Sequence, residues 1–274
     1  MNESDFKITF ITVCYKTPDL IRNLLKGIEA AEFAFSFEYI VVDNYPGDGT
    51  GEMLRLRFPW VHVIDAPYNV GFGCGNNLAL RVARGEYVML INPDLTIFRG
   101  ELEKLLVFAD EHPDIGILGP QLLNPTRTVQ RTFYRFPSAL IPLYRRTPLG
   151  RLACGQRAVE KYFMQAADPQ SSFDVDGLFG AALLIRSSAL HSIGLFDERF
   201  FMYFEDVDLC RRAWECGWRV CYAPVARFIH YHQRESDVRR WWQMLLNPIS
   251  RAHIASAVKY FWKYRGKPTP RILS

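Results

Sequence analysis

Five short apolar runs, at residues 8–13, 39–42, 61–64, 87–91 and 115–118, are separated by segments of helical spacing. This alternation limits the folds open to the first 120 residues more than any other feature. The runs are too short for helices and apolar on successive positions, so both faces of each strand need cover. Segments such as Leu20, Leu24, Leu25 and Ile28, after the N-cap and N1 pair Thr17-Pro18, supply it. The pattern predicts an α/β fold with a Rossmann-like, mostly parallel central sheet flanked by helices. In such sheets ligands bind outside the carboxyl ends of the strands, near the point where strand order reverses. Asp43 and Asp94 both stand just past strand ends and are predicted to project into that crevice.

Past residue 120 the period weakens. Residues 121–175 mix Pro, Arg and aromatics and read as irregular. Order returns with a strand at 180–185, helices at 187–193 and 205–216, and short strands at 220–222 and 228–231. We expect one domain in two halves, 1–120 and 121–236, and a helical C-terminal extension over 237–274, interrupted at Pro248. The net charge of +4 is uneven. From Val238 onward there are eight Lys or Arg residues and no Asp or Glu, which leaves residues 1–237 at −4. The division points to an anionic partner for the tail alone and gives the body no nucleic-acid character. No signal-peptide pattern opens the chain, no apolar run approaches a membrane span, and the six cysteines show no C-x-x-C pairing. These features predict a reduced, cytoplasmic chain without structural zinc.

Four constellations carry chemistry. Glu205-Asp206-Val207-Asp208 opens a helix directly after the aromatic run Phe200-Phe201-Met202-Tyr203-Phe204. Acids there complement the helix dipole, and Asp208 can pair with Arg212 at i+4. A carboxylate at the edge of an apolar wall is also raised toward the working range of a general base. Asn92-Pro93-Asp94 is an ordinary turn sequence, yet a carboxylate on a stiff turn at a strand end suits Mg²⁺ or Mn²⁺ completed by phosphate and water. Asn69 to Asn77 holds Gly71, Gly73 and Gly75 before a helix predicted over 77–84, a loop that can bring backbone N–H groups to phosphate. Its spacing is neither the dinucleotide fingerprint nor a P-loop. His230 and His232 follow the last strand and are either half-exposed strand-end residues or contacts to metal or diphosphate.

In chain order these segments resemble family 2 glycosyltransferases of the GT-A fold, particularly the rhamnosyltransferase-like branch, over about residues 7–236. The stretch from Ile11 to Lys16 is similar to the family's first strand and nucleotide loop, and Val41-Val42-Asp43-Asn44 to its second. Asn92-Pro93-Asp94 stands where the family has a metal-binding D-x-D, with Asn92 replacing its first acid. Gly180-Ala181-Ala182 and Phe196-Asp197-Glu198 resemble the acceptor-side core, and residues 204–212 the segment bearing the base.

The resemblance implies an inverting transfer of a sugar from a dTDP-, UDP- or GDP-type donor to a hydroxyl of a glycan or lipid-linked glycan, in cell-surface polysaccharide synthesis. The first half would bind the donor and the second the acceptor. Asp206 is then the base and Glu205 its orienting neighbour. Thr12, Tyr15, Asp43, Asn44, Asn69, Gly71, Asn76, Asn92 and Asp94 fall to the donor. Gly180, Asp208 and Arg211 fall to the acceptor, and Asp94 with His230 to a divalent cation. Rhamnose is the sugar toward which the branch leans. A nucleotidyltransferase would need a basic, Gly-rich loop after the first strand, where Tyr15-Lys16-Thr17-Pro18 stands. A non-catalytic nucleotide-sugar or glycan-binding module would not need Asp206. The tail interleaves Trp241, Trp242, Leu245, Val258 and Trp262 with Arg239, Arg240, Arg251, Lys259 and Lys263. That composition fits either a helix packed on the body or one lying on an inner-leaflet membrane surface.

Overall fold

The computed structural model describes residues 5–231 and 247–270. His232 and the stretch of the tail from 237 to 246, both singled out above, lie outside them.

The first half follows the predicted alternation: β1 (Phe6–Cys14), α1 (Pro18–Ala31), β2 (Phe37–Asp43), α2 (Thr50–Arg57), β3 (Val61–Asp65), α3 (Phe72–Leu80), β4 (Gly85–Ile91), β5 (Leu95–Thr96), α4 (Glu101–Glu111) and β6 (Ile115–Leu123). β1 pairs in parallel with both β2 and β4. Strand order therefore reverses at β1, and the crevice between the ends of β1 and β4 is the switch point. Two apolar layers cover the sheet. Ile21, Leu24, Leu25 and Ile28 of α1 pack with Phe10 and Tyr39 on one face, and Ile11, Val42 and Leu90 lie in the cluster on the other.

The second half departs from expectation. The stretch read as irregular forms β7 (Val129–Gln130), β8 (Phe133–Tyr134), α5 (Ile141–Arg146), a 3₁₀ turn (Pro148–Arg151), α6 (Ala153–Tyr162) and β9 (Phe173–Asp174). These pieces are too short to show a period in sequence. β10 (Gly177–Leu178), β11 (Ala182–Arg186), α7 (Ser187–Ile193), α8 (Glu205–Glu215) and β12 (Arg219–His230) follow. β12 is one strand where two were expected, and its register shifts between Ala223 and Arg227, around Pro224. β11 runs antiparallel to both β4 and β6, so the mostly parallel sheet is continuous across the two halves.

α9 (Pro248–Lys263) begins at the proline predicted to interrupt it, because Asn247 caps the helix by accepting from the Ile249 and Ser250 N–H groups. One face of α9 packs Ala257, Tyr260 and the following Tyr264 against Phe200, Phe204 and Val207. It also closes a charge cluster. Asp208 is fully buried, accepts from Arg212 at 2.8 Å and from the Tyr264 hydroxyl at 2.8 Å, and pairs with Lys263. Removing one member of such a cluster strands buried charge. We expect Asp208→Ala to lower stability by ~3–5 kcal/mol in urea unfolding, chiefly by loosening α9 from α8.

Candidate active site

The carboxyl end of β2 places Asp43 at the crevice floor. Its two oxygens accept from the Tyr45 and Gly51 N–H groups, each at 3.0 Å, which folds the loop between them. Burial still holds its carboxyl above the ordinary value. Asn44 ties that loop to the next: its amide donates to Asn69 Oδ1 at 2.9 Å, and its carbonyl accepts from Val70 N–H. Asn69 Oδ1 also accepts from Gly71 N–H. At the open edge, Tyr15 and Tyr45 are exposed and meet edge to face at 5.6 Å, with the Lys16 ammonium 4.5 Å from the Tyr45 ring centre.

The glycine-rich stretch corrects its expectation. The helix starts at Phe72 rather than Asn77, so Gly73 and Gly75 lie inside α3. They are close-packing residues: a Cβ on Gly75 would meet Val13 of β1 at 2.9 Å, and one on Gly73 would meet Phe196 at 3.3 Å. Gly71 alone needs the left-handed backbone, at φ 89°, and a Cβ there would strike the Phe201 carbonyl oxygen at 2.2 Å. That carbonyl accepts from the Phe72 N–H. Asn76 is buried and donates to the Phe72 carbonyl.

Opposite lies the acidic pair. Tyr203 and Phe204 both hold left-handed φ, 67° and 66°, immediately before α8. Neither is glycine, so the turn is strained and must be held by packing. The His253 ring lies 4.8 Å from Tyr203 and 5.4 Å from Phe204, and Tyr260 lies 5.3 Å from Phe204. The turn delivers Asp206, partly exposed, with Oδ2 accepting from Gly180 N–H at 3.1 Å and Oδ1 from Val207 N–H at 2.8 Å. Burial pushes the Asp206 carboxyl up to about 6, partly offset by those N–H groups. Glu205 is buried and pushed well up, first by desolvation and then by the Asp206 charge. Its Oε2 has no hydrogen-bond partner. A neutral carboxyl beside an ionisable one is the stable arrangement there.

β11 joins this pair to the third acid. Gly180 lies two residues before β11, Asn92 N–H donates to the Ala181 carbonyl, and Ala182 pairs with Ile91 of β4. Asp94, two residues past Asn92, faces His230 at the end of β12, with Oδ1 3.4 Å from Nε2. Gln130 fixes that imidazole. Its amide nitrogen donates to Asn124 Oδ1 and to the His230 carbonyl, which leaves its oxygen to accept from Nδ1–H at 2.8 Å. Nε2 is therefore the atom turned toward the carboxylate, the arrangement seen in oriented metal-ligating histidines. Among the described residues no three potential ligands cluster. Asp94 and His230 fit a hard cation whose remaining positions are filled by donor oxygens and water.

Direct contacts thus link Asp43 and Asn44 through Asn69 and Gly71 to Phe201, and Asp206 through Gly180 and Ala181 to Asn92 and Asp94. Three expected contacts lie elsewhere. Thr12 is sealed in the sheet, with Oγ1 2.8 Å from the Tyr39 hydroxyl. Asp208 belongs to the buried cluster with Arg212, so the capping and i+4 reading of that acid describes its place. Arg211 is buried, paired with Glu215 at 3.0 Å and stacked 3.8 Å from the Tyr264 ring centre. An acceptor could touch Asp208 or Arg211 only after these pairs broke. Sequence reasoning missed Gln130, which lies in the stretch without a period, and Tyr45, whose position beside Asp43-Asn44 was the available signal.

The fold that carries these residues is the GT-A fold of solved glycosyltransferases. The structure superposes on GalNAc-T7 with UDP, GalNAc and Mn²⁺ at a TM-score of 0.62 and 12% identity, covering 97% of this chain and 49% of that one. It superposes on the mannosyltransferase PcManGT of Pyrobaculum calidifontis, in complex with GDP-Man and Mn²⁺, at 0.59 and 18%, covering 97% and 66%. The chain belongs to glycosyl transferase family 2, whose profile matches residues 9–190. It is 32% identical over 203 residues to an N-acetylglucosaminyl-diphospho-decaprenol L-rhamnosyltransferase of Mycobacterium tuberculosis, covering 70% of this chain and 66% of that relative. It is 23% identical over 269 residues to the rhamnosyltransferase WbbL of Escherichia coli K12, covering 94% of each.

The raised acid has a consequence for stability. A carboxyl held above its unfolded value costs folding energy once ionised. The cost is absent below about pH 4 and complete above about pH 6. Asp206→Asn should therefore unfold at higher urea than wild type at pH 8, by ~1–2 kcal/mol after allowing for partial exposure, and at the same urea at pH 4.

Proposed function

We propose that the chain transfers a sugar, with inversion, from a nucleotide diphosphate donor to a hydroxyl of a glycan or lipid-linked glycan during cell-surface polysaccharide synthesis. The observation that carries this reading is the Asp206 carboxylate, fixed by Gly180 N–H beside the carboxyl end of β4, in the crevice that Asp94 and Asp43 also border. Two relatives named as rhamnosyltransferases support rhamnose as the sugar, and the one named for a diphospho-decaprenol substrate supports a lipid-linked acceptor.

The donor base stacks at the Tyr15–Tyr45 edge above the loop folded by Asp43, and the Lys16 ammonium adds positive charge beside it. The ribose and diphosphate run along the Asn69–Gly71 turn toward Asn92 and Asp94. Asp94 and His230 would hold a Mg²⁺ or Mn²⁺ ion, which would supply neutralising charge for the departing diphosphate. Asp206, ionised above about pH 6, takes the proton of the acceptor hydroxyl as its oxygen bonds to the anomeric carbon. The bond from that carbon to the diphosphate oxygen breaks in the same step, and the electron pair leaves with the diphosphate. One displacement without an enzyme nucleophile inverts the centre. Glu205, neutral beside Asp206, keeps the base's charge from being opposed by a second carboxylate.

Asp206→Asn should cut transfer by ~10²–10⁴-fold while nucleotide binding, read by calorimetry, stays intact. Undiminished transfer in that variant rejects the assigned base. In wild type, kcat/KM should fall tenfold per pH unit below about pH 6, as protonation removes the base. Chelator should abolish transfer, and Asp94→Ala should weaken donor binding in the presence of Mn²⁺. Chelator-resistant transfer takes the cation out of the reaction.

A further inference from the structure

One exposed stripe of α9 is apolar where a packed surface helix would be polar. Ile254, Val258 and Trp262 follow one another at i, i+4 and i+8, and Val258 and Trp262 are 64% and 73% exposed. Across from them the exposed Leu143 of α5 forms the opposite wall with Ala139 and Pro142. A groove of about 540 Å³ runs between the two walls. Leu143 on one element and Ile254, Val258 and Trp262 on another are more than scattered surface apolar residues, because they line one concave patch.

Charge identifies what covers it. Residues 115–159, which include one wall, hold seven arginines and no Asp or Glu, and residues 247–270, which include the other, hold five Lys or Arg and no Asp or Glu. The rest of the chain is acidic on balance. Arg265 lines the groove, and Arg145, Arg151, Arg251 and Lys267 are exposed on the same two stretches of chain. Arg265 lies 5.8 Å from the Trp262 ring centre, a cation beside an aromatic of the kind that anchors at a bilayer interface. A protein partner of complementary shape needs apolar cover alone. An apolar patch lined by Arg265 and built from two stretches that carry cations and no acids fits a surface that is apolar beneath and anionic above.

We infer that the groove between α5 and α9, with its basic rim, is a docking face for an anionic phospholipid bilayer. Two separate stretches of chain build the face, so its binding does not depend on residues 232–246. The face sits directly behind the base. His253 and Phe261 line the groove, and the same rings pack on Tyr203 and Phe204, the strained turn that presents Asp206. The docked enzyme therefore holds its acidic pair a single layer of side chains from the lipid. The inference is independent of the transfer chemistry, since vesicle binding is read without donor or acceptor.

The test is flotation of the full chain with vesicles of phosphatidylcholine alone or mixed with phosphatidylglycerol. Wild type should float with the phosphatidylglycerol vesicles and weaken as salt is raised. The double variant Val258→Glu/Trp262→Glu should lose at least ~10-fold in partitioning, with its urea midpoint and nucleotide affinity unchanged. Leu143→Glu, on the opposite wall, should weaken binding in the same direction. Arg251→Glu/Arg265→Glu should lose at least ~5-fold for each charge removed on anionic vesicles only. Failure of wild type to float overturns the inference. So does full binding by Val258→Glu/Trp262→Glu, including the case where only Trp241→Glu/Trp242→Glu abolishes it. A wild-type dimer that this double variant converts to monomer, without loss of flotation, would reassign the face to a second copy of the chain.

Discussion

The acidic side of the crevice depends on β11 running antiparallel between β4 and β6. A parallel strand in that place would bring its carboxyl end, and Arg186, to the crevice. The reversed strand brings its amino end instead. Gly180 and Ala181 therefore lie beside Asn92, and Asp206 reaches the Gly180 N–H. Two carboxylates more than a hundred residues apart are joined by a few backbone hydrogen bonds. Because those bonds belong to a buried sheet, the spacing across the crevice is rigid rather than a matter of loop conformation.

The acidic pair is placed against its own preferences. Both carboxyls lose water on folding, one oxygen of Glu205 lacks a hydrogen-bond partner, and the turn before them holds two aromatic residues in the left-handed region. Each feature opposes folding locally, and the compensation is elsewhere: the Tyr203 and Phe204 rings are gripped by α9, and Asp208 is neutralised by Arg212 and Lys263. Three acids within one helical turn thus divide into a buried neutral group, the proposed base and a structural anion, and their surroundings alone make the difference.

Most of the first half was legible because parallel strands buried on both faces leave continuous apolar runs, and α1 announced itself through Thr17-Pro18 and its apolar stripe. Asp43, Asn69, Asp94, Asp206 and His230 could be singled out because chemistry-bearing residues follow strand ends or open helices. Other features left no local mark. Gly73 and Gly75 read as a loop because glycine signals flexibility in sequence, whereas here it permits close approach to β1 and Phe196. The short pieces between β6 and β11 have no period of their own and take shape from neighbours. The left-handed pair at Tyr203 and Phe204 is invisible in principle, since neither residue favours that conformation and only tertiary packing imposes it. Asp208 and Arg211 matched an acceptor role by position, but their partners, Lys263, Tyr264 and the Pro268 carbonyl, come from more than fifty residues further along.

That last dependence orders events during synthesis. The sheet can close once β12 has emerged, because all its strands are then available. The turn at 203–204 has no reason to stay left-handed until α9 arrives to hold its rings. A nascent chain would thus close the crevice proposed for the nucleotide first and complete the turn that presents the proposed proton acceptor last.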